Sequence, residues 1–186
     1  MKILTFGLSI MAMTLFMAVS LMPEICSAQT STNSQSKKWG LAVVGQSISI
    51  WATKPKYRHG EEIKICQSIK NVGSNEVRFA SAGFNAADTY DALVQKDGQP
   101  NLPTTEGSQL IKSCRYRGGS LSVEILKPGE EDTLKGNRSG FYPLSQIYDL
   151  SIPGTYKVKL TRELINPQPP MERVSVTSNE IEIVIE

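Results

Sequence analysis

The sequence has little of what most enzyme active sites are built from. It contains one histidine, His59, and three cysteines among 186 residues. A Ser-His-Asp site, a Cys-His site or a histidine-based zinc site would have to use His59. This histidine directly precedes Gly60 and has charged neighbours, a pattern typical of a solvated turn. The sequence therefore predicts no catalytic residue, no metal site and no cofactor.

The carboxylates are also not spaced as the ligands of a calcium ion would be. The densest acidic cluster is Glu130, Glu131 and Asp132, and these three residues are consecutive beside Pro128-Gly129. Calcium loops of the EF-hand type need alternating ligand positions. A hydrophilic turn is the prediction here, while a pair of carboxylates for glycoside hydrolysis stays open because nothing in the sequence marks or excludes one.

A concentration of charge of one sign is missing as well. The chain has 20 basic and 18 acidic residues, a formal net charge of +2, and the two signs are interleaved. Nucleic acids and anionic membrane surfaces are bound through a concentrated positive field. We therefore expect no nucleic-acid partner.

There is only one long apolar run, and it lies at the N-terminus. Lys2 supplies a positive start, residues 3–22 are uncharged and mostly apolar, and Cys26-Ser27-Ala28 offers small residues for a peptidase. This pattern predicts a signal peptide over residues 1–28, cleaved after Ala28, and hence a periplasmic or secreted protein. The alternative is an uncleaved membrane anchor, because the run approaches the roughly 20 residues that span a bilayer.

The rest of the chain divides into a short leader and one domain. Residues 29–38 are polar and predict a disordered leader, and residues 39–186 have the length of a single domain. After cleavage two cysteines remain, Cys66 and Cys114, in a compartment where disulfides persist. A Cys66–Cys114 disulfide is therefore expected.

Helical periodicity is nearly absent after residue 38, and apolar residues recur with period two instead. Clear examples are residues 45–51, 62–70, 156–161 and 180–186, separated by Gly, Pro, Asn and Asp turns. Such alternation is typical of half-buried antiparallel strands, and it predicts an all-β sandwich of about seven to nine strands. In the second run Cys66 alternates with isoleucines, so it should point away from the main core.

The middle of the chain is the least regular part. Residues 99–119 contain two prolines and three glycines, which predicts a long excursion over one end of the fold, where binding often takes place. Arg115, Tyr116 and Arg117 follow Cys114 there, and Arg and Tyr are enriched in binding hot spots. We take these three as candidate binding residues, with an ordinary solvated loop as the alternative.

Two segments resemble the immunoglobulin-like domains of exported bacterial proteins, including proteinase-inhibitor domains of the BsuPI type. Residues 57–65, followed by Asn71-Val72-Gly73, are similar to the "G-E-x-I-x-I … N-x-G" opening of such modules, and residues 149–158 resemble the "D … G-x-Y-x-V" entry to the penultimate strand. The resemblance implies an immunoglobulin-like antiparallel β-sandwich. It also implies a tyrosine corner, in which the Tyr156 hydroxyl caps a backbone group of a loop.

These features together predict an exported, non-enzymatic binding module. Its surface loops, chiefly residues 100–119, would contact a protein or an envelope component, and a proteinase inhibitor with an extended loop is one specific version. A small hydrolase or carbohydrate-active protein on the same scaffold is the first alternative. The second is a structural envelope protein that adds a strand to a partner through an unpaired C-terminal edge at residues 180–186.

Overall fold

The structure is a computed structural model that describes residues 37–81, 86–116, 122–133, 141–165 and 173–186. The predicted signal peptide, nearly all of the predicted leader and the candidate residue Arg117 lie outside the described residues. No helix within these ranges combines the length and the apolar character that crossing a bilayer requires.

Within the described residues the chain forms twelve strands and three helices, so the prediction of an all-β fold is confirmed, while the predicted number of about seven to nine strands is too low. The strands are β1 Gln46–Ala52, β2 Lys56–Tyr57, β3 Lys64–Asn71, β4 Val77–Ser81, β5 Tyr90–Lys96, β6 Gln99–Asn101, β7 Ser122–Leu126, β8 Glu131–Thr133, β9 Phe141–Pro143, β10 Gly154–Ile165, β11 Arg173–Thr177 and β12 Ile181–Ile185. The helices are α1 Ala86–Thr89, α2 Thr105–Tyr116 and α3 Leu144–Ile147.

The first sheet, sheet A, consists of β1, β3, β8 and β9. β1 and β3 pair antiparallel from Gln46↔Asn71 to Ala52↔Ile65. β8 and β9 follow one another along the other edge of β3. The two predicted strands at residues 45–51 and 62–70 are therefore neighbours in one sheet.

The second sheet, sheet B, is built around the long strand β10. Along one edge β10 pairs with β12 and then β11, and along the other edge with β5 and then β4. β6 and β7 extend the sheet beyond β5 and β4, and β2 lies parallel to β12. β12 pairs with β10 on one side and, at Val184 and Ile185 only, with β2 on the other, so the end of the C-terminal strand is not an unpaired edge.

Apolar side chains of both sheets form one core. Ile65 and Ile69 of sheet A belong to the same buried cluster as Val158, Leu160 and Ile183 of sheet B, and each is at most 1% exposed. Full burial of an aliphatic side chain contributes about 1.5–3 kcal/mol relative to exposure. The alternation seen in the sequence thus corresponds to one inward face on each sheet.

Residue Asn71 fixes the turn after β3. It is fully buried, and its Nδ2 donates to the carbonyls of Asn75 at 2.8 Å and Leu126 at 2.9 Å. Its Oδ1 accepts from the Gly73 N–H at 2.9 Å. Residues 71–73 thus form a turn, and Asn71 also ties this turn to the end of β7.

The stretch 99–119 was expected to be irregular, and this is wrong for most of it. Residues 105–116 form helix α2, which Thr104 caps by accepting from the Gly107 N–H on Oγ1 at 2.9 Å. Gly107 is not a loop glycine, because a Cβ there would lie 2.1 Å from the Ile147 carbonyl oxygen of α3. The glycine instead permits close contact between α2 and α3.

The predicted Cys66–Cys114 disulfide is also wrong, because Cys114 carries a thiol. Cys66 is buried on the face of β3 that points away from the core cluster, as the alternation predicted. Cys114 packs against the core cluster from α2. The two side chains therefore point to opposite sides of sheet A, whereas a disulfide needs Cβ vectors that converge and Cα atoms within about 7 Å.

A candidate binding groove between the two sheets

The three candidate binding residues from the sequence lie at the end of α2 or beyond it. Arg115 and Tyr116 form the last turn of the helix, and their side chains are not among those described. Arg117 lies outside the described residues. The backbone before them is helical, so the segment is not the open loop that the hypothesis assumed.

Tyr156 makes the contact that the family resemblance implied. Its hydroxyl donates to the Ile152 carbonyl, four residues upstream, at 2.7 Å. Burial raises the pKa of the Tyr156 hydroxyl, with smaller contributions of the same sign from Asp149 and Asp97. This hydrogen bond fixes the entry into β10 and leaves Tyr156 with a structural role.

His59 lines an open cleft of about 470 Å³ together with Ser145, Asp149 and Ser151. Hydrogen bonds from Ser151 lower the pKa of Asp149, and the positive field of His59 adds to this. The Ser145 hydroxyl accepts from the Ile63 N–H at 3.0 Å. No hydrogen bond joins His59 to either serine within the described parts of the chain, so the cleft holds no nucleophile paired with a base.

The acidic cluster serves the backbone and the neighbouring strands. Glu130 accepts from the Lys127 N–H at 2.8 Å and closes its turn, while Glu131 accepts from Ser68 at 2.6 Å. Among the described residues there is no group of three His, Cys, Asp or Glu side chains that could hold a metal ion. The predicted hydrophilic turn is formed by residues 127–130, whereas Glu131 and Asp132 belong to strand β8.

A different site emerges where the strands of the two sheets diverge, near the start of β1. A groove of about 310 Å³ opens there between the turn that precedes β1 and the strands β4, β10 and β11 of sheet B. Seven of its ten lining residues are apolar. The lining residues are Val43, Val44, Gln46, Glu76, Val77, Arg78, Phe79, Leu164, Val174 and Val176.

One residue that lines this groove, Gln46, has a polar atom that is buried beneath the groove surface and has no partner. Gln46 is 6% exposed, and its Oε1 is buried without a hydrogen bond to any described residue. Leaving a buried acceptor unsatisfied costs about 1–3 kcal/mol. Native proteins seldom retain such a group, and a ligand that donates a hydrogen bond is one reason for keeping it.

The rim of the groove is a strained turn. Val43 and Gln46 exchange two backbone hydrogen bonds, at 2.8 and 2.9 Å, around Val44 and Gly45, whose φ angles are 47° and 73°. Two positive φ angles define a turn that favours Asn-Gly, and a β-branched residue at the first position is an outlier. Such strain costs on the order of 1–3 kcal/mol and clusters at ligand clamps.

The strained turn is held in place by the turn after β3. The Gly45 carbonyl accepts from the N–H groups of Val72 at 2.7 Å and Gly73 at 3.2 Å. A Cβ at Gly73 would lie 3.2 Å from the Gly45 Cα, so the two turns are in close contact. As a result Val44 projects outward with 68% of its surface exposed.

The outer rim is polar and nearly neutral. Glu76 and Arg78 form an ion pair at 2.9 Å, so neither charge is left over for a ligand. The groove therefore combines mostly apolar lining residues, one unsatisfied acceptor buried beneath its surface and the exposed side chain of Val44 at its mouth. This combination can hold an apolar group that carries one hydrogen-bond donor.

The sequence contains a signal for the inward position of Gln46. Gln46 precedes Ile48 and Ile50 with the same period of two, so the alternation already placed an amide on the inward face. Val44-Gly45 was not recognised as a turn because valine disfavours the left-handed conformation.

Comparison with known proteins adds little. No family model matches the chain, and no curated protein matches it. A β-glucosidase from Listeria innocua is similar in structure with a TM-score of 0.32 and 12% sequence identity, over 75% of this chain and 16% of that enzyme. A TM-score this low carries no conclusion about fold or activity.

Proposed function

We propose that this protein is an exported, non-enzymatic binding module with an immunoglobulin-like β-sandwich fold, and that its groove receives an apolar group from a partner polypeptide. The fold assignment is supported by two mostly antiparallel sheets around one core and by the hydroxyl-to-backbone hydrogen bond of Tyr156. The unsatisfied Oε1 of Gln46 is the observation that carries the binding assignment.

A polypeptide fits this groove better than a lipid chain. An acyl chain would fill the apolar walls but would bring no donor to Gln46. An indole N–H, or a backbone amide next to an apolar side chain, brings both. A groove of about 310 Å³ has room for one large side chain and its flanking backbone.

The inhibitor version of this function receives no support. It required an extended, substrate-like loop in the middle of the chain, and residues 105–116 are helical. The groove is formed by the turn before β1 together with strands β1, β4, β10 and β11. The proposed binding site therefore moves from residues 100–119 to this groove.

Two small molecules of nearly equal shape test the role of Gln46. Indole carries one N–H donor and indene carries none. We expect the protein to bind indole about tenfold more tightly than indene, because the N–H would satisfy Oε1 at a net gain of about 1–1.5 kcal/mol. Methyl NMR shifts of the groove valines would report both dissociation constants.

Variants decide whether the groove is the site. Gln46→Met should abolish the preference for indole, and Val44→Asp should weaken both ligands. Gln109→Met, at an exposed position of α2, should change neither. Equal binding of indole and indene by the wild-type protein, or an unchanged preference in Gln46→Met, would refute the assignment. Enrichment of apolar, tryptophan-containing sequences from a random peptide library, lost in Gln46→Met, would establish the partner class.

A further inference from the structure

Cys66 is joined to another cysteine by a disulfide bond. The chain has three cysteines in all, and Cys114 carries a free thiol. Within one chain this leaves Cys26 as the partner of Cys66. Cys26 lies in the predicted signal peptide, and cleavage after Ala28 would remove it from the exported protein. The disulfide of Cys66 and this cleavage site are therefore incompatible.

The side chain of Cys66 points to the outer face of sheet A. Its cross-strand neighbours are Trp51 on β1 and Phe141 on β9, and both of these side chains are half-buried. Only 1% of Cys66 is exposed, although antiparallel sheets commonly present one face to water. The inner face of β3 packs against the core. The cysteine that bonds to Cys66 therefore approaches from the solvent side and helps to cover this face.

The first described residues lead along β1 toward this cysteine. The Lys38 carbonyl accepts from the Ser49 hydroxyl on the outer face of β1 at 2.6 Å. One residue earlier, the Lys37 ammonium lies 4.4 Å from the ring centroid of Trp51. Trp51 is the residue of β1 that stands directly opposite Cys66. The chain that precedes Lys37 therefore enters the outer face beside the disulfide.

The chain before Lys37 is long enough to bring Cys26 to this place. Residues 26 and 37 are eleven positions apart in the sequence. An extended chain covers about 3.3 Å per residue, so this segment spans up to about 36 Å. Directly opposite residues of an antiparallel pair, such as Trp51 and Cys66, have Cα atoms about 4.5–5.5 Å apart. The segment can therefore cross from β1 to β3 and still have length to spare.

A second signal-peptidase site lies before Cys26. Residues 3–17 form an uncharged, mostly apolar run of fifteen residues, and Ala18-Val19-Ser20 follows it directly. The apolar region of a signal peptide has about 7–15 residues, and small residues at positions 18 and 20 match the A-x-A-like cleavage pattern. Hydrolysis of the Ser20–Leu21 peptide bond would leave Cys26 in the exported protein.

We infer that signal peptidase cleaves this chain after Ser20, and that residues 21–36 stay as a cover over the outer face of sheet A, fixed by a Cys26–Cys66 disulfide. The inference rests on the export that the proposed function includes. After export the two thiols lose two protons and two electrons to a disulfide-carrying oxidant, which becomes a dithiol while the Sγ–Sγ bond forms. The N-terminal segment is then tied at both ends, by the disulfide and by the hydrogen bonds of residues 38–40 to β1.

One tryptic digest reports both the cleavage site and the disulfide. The full chain is expressed in a bacterial host, the exported fraction is treated with an alkylating reagent, and the digest is analysed by mass spectrometry without reduction. Trypsin cuts after lysine and arginine. We expect residues 21–37 joined to residues 65–70, and residues 113–115 with an alkylated Cys114.

Other digests would overturn the inference. These are residues 29–37 together with an alkylated Cys66, residues 3–37 joined to residues 65–70, or two Cys66 peptides joined to each other. Each of these results comes from an exported protein and leaves the groove with its expected preference for indole, so the proposed function would stand. Recovery of the full-length chain from the cytoplasm alone would refute export, and would overturn both proposals.

The thermal stability of cysteine variants gives an independent test of the pairing. Cys26→Ser and Cys66→Ser should each lower the unfolding midpoint by about 5–15 °C, because the bond closes a loop of about 40 residues in the unfolded chain. The double variant should be no less stable than the weaker single variant, since each change removes the same bond. The control Cys114→Ser should shift the midpoint by less than about 3 °C.

Two results of this series would contradict the pairing. One is an unchanged midpoint in Cys26→Ser, and the other is a loss in the double variant that equals the sum of the two single losses. Because residue 26 lies outside the core, Cys26→Ser decides the question even if Cys66→Ser fails to fold.

Discussion

The side-chain amide of Asn179 forms two hydrogen bonds with the backbone of Ile50. Its Oδ1 accepts from the Ile50 N–H at 2.8 Å, and its Nδ2 donates to the Ile50 carbonyl at 3.1 Å. These two bonds reproduce what a neighbouring strand would make. The amide therefore closes part of the outer edge of β1 and joins sheet A to the break between β11 and β12 of sheet B.

Removing this amide should destabilise the protein strongly. Asn179→Ala leaves a donor and an acceptor of Ile50 without partners, at about 1–3 kcal/mol each. We expect a loss of about 2–4 kcal/mol in the free energy of unfolding, measured by urea denaturation. The control is Asn101→Ala, which removes one exposed hydrogen bond to the Asp149 carbonyl and should cost under about 1 kcal/mol. Equal losses of unfolding free energy in both variants would show that the Asn179 amide does not replace a neighbouring strand as hydrogen-bond partner of Ile50.

Replacing Gln67 should raise the free energy of unfolding. It is fully buried on β3, and neither Oε1 nor Nε2 has a hydrogen-bond partner among the described residues. Gln67→Met keeps the volume and removes both polar atoms, so the variant should be more stable by about 1–2 kcal/mol. The measurement is the midpoint of urea denaturation, compared between proteins whose unfolding free energy depends equally on urea concentration. A loss of stability would mean that buried water satisfies the amide in solution.

Tyr90 should make the fold sensitive to alkaline pH. Burial raises the pKa of its hydroxyl, which receives a hydrogen bond from Arg162 that opposes the shift in part. A raised folded pKa means that the native state holds this proton more tightly than the unfolded chain does. The resulting stability is complete below about pH 10 and is lost as pH rises through the folded pKa.

The variant Tyr90→Phe tests this assignment. It lacks the proton, so its stability should fall less steeply than that of the wild-type protein between about pH 9 and about pH 11. At neutral pH it should be less stable by about 1.5–3 kcal/mol, because Arg162 loses an acceptor. Urea unfolding at each pH gives both values. Identical pH slopes in the two proteins would assign the alkaline transition to Tyr148 or Tyr156, whose pKa values burial also raises.

Gly107 should not tolerate alanine, although alanine favours helices. In an exposed helix position the change would stabilise by up to about 1 kcal/mol. At residue 107 the new Cβ would meet the Ile147 carbonyl oxygen at 2.1 Å. We expect Gly107→Ala to lower stability by about 1–3 kcal/mol in thermal unfolding. Gln109→Ala on the exposed side of α2 should stay within about 0.5 kcal/mol, and a stabilised Gly107→Ala would contradict the close packing.

The strands were predictable because alternation states directly which side chains point inward. Ile48, Ile50, Val158 and Leu160 are all buried in the common core, as their spacing indicated. Helix α2 was missed for a local reason. Its cap, Thr104, and its close-contact glycine were read as loop residues, and no periodicity reveals which neighbour a glycine will touch.

The groove was not predictable because it depends on two exceptions. Val44 occupies a turn position that valine disfavours, and Gln46 occupies an inward position without a partner. Arg162 is a similar case on β10, where a guanidinium continues the inward row and lies 5.0 Å from the ring centroid of Phe79. Residue preferences predict the strands of the scaffold well. They do not predict residues such as Val44, Gln46 and Arg162, which occupy positions that their residue types disfavour.

The position of β10 at the centre of sheet B determines the order in which the protein can fold. Its pairings with β11 and β12 connect segments that are close in sequence, so this part of sheet B can form early. β2 and β12 join residues 57 and 185, and this contact requires closure of nearly the whole domain. Topologies dominated by such distant pairings fold in milliseconds to seconds, so sheet A and β2 should dock onto β10 in a late step.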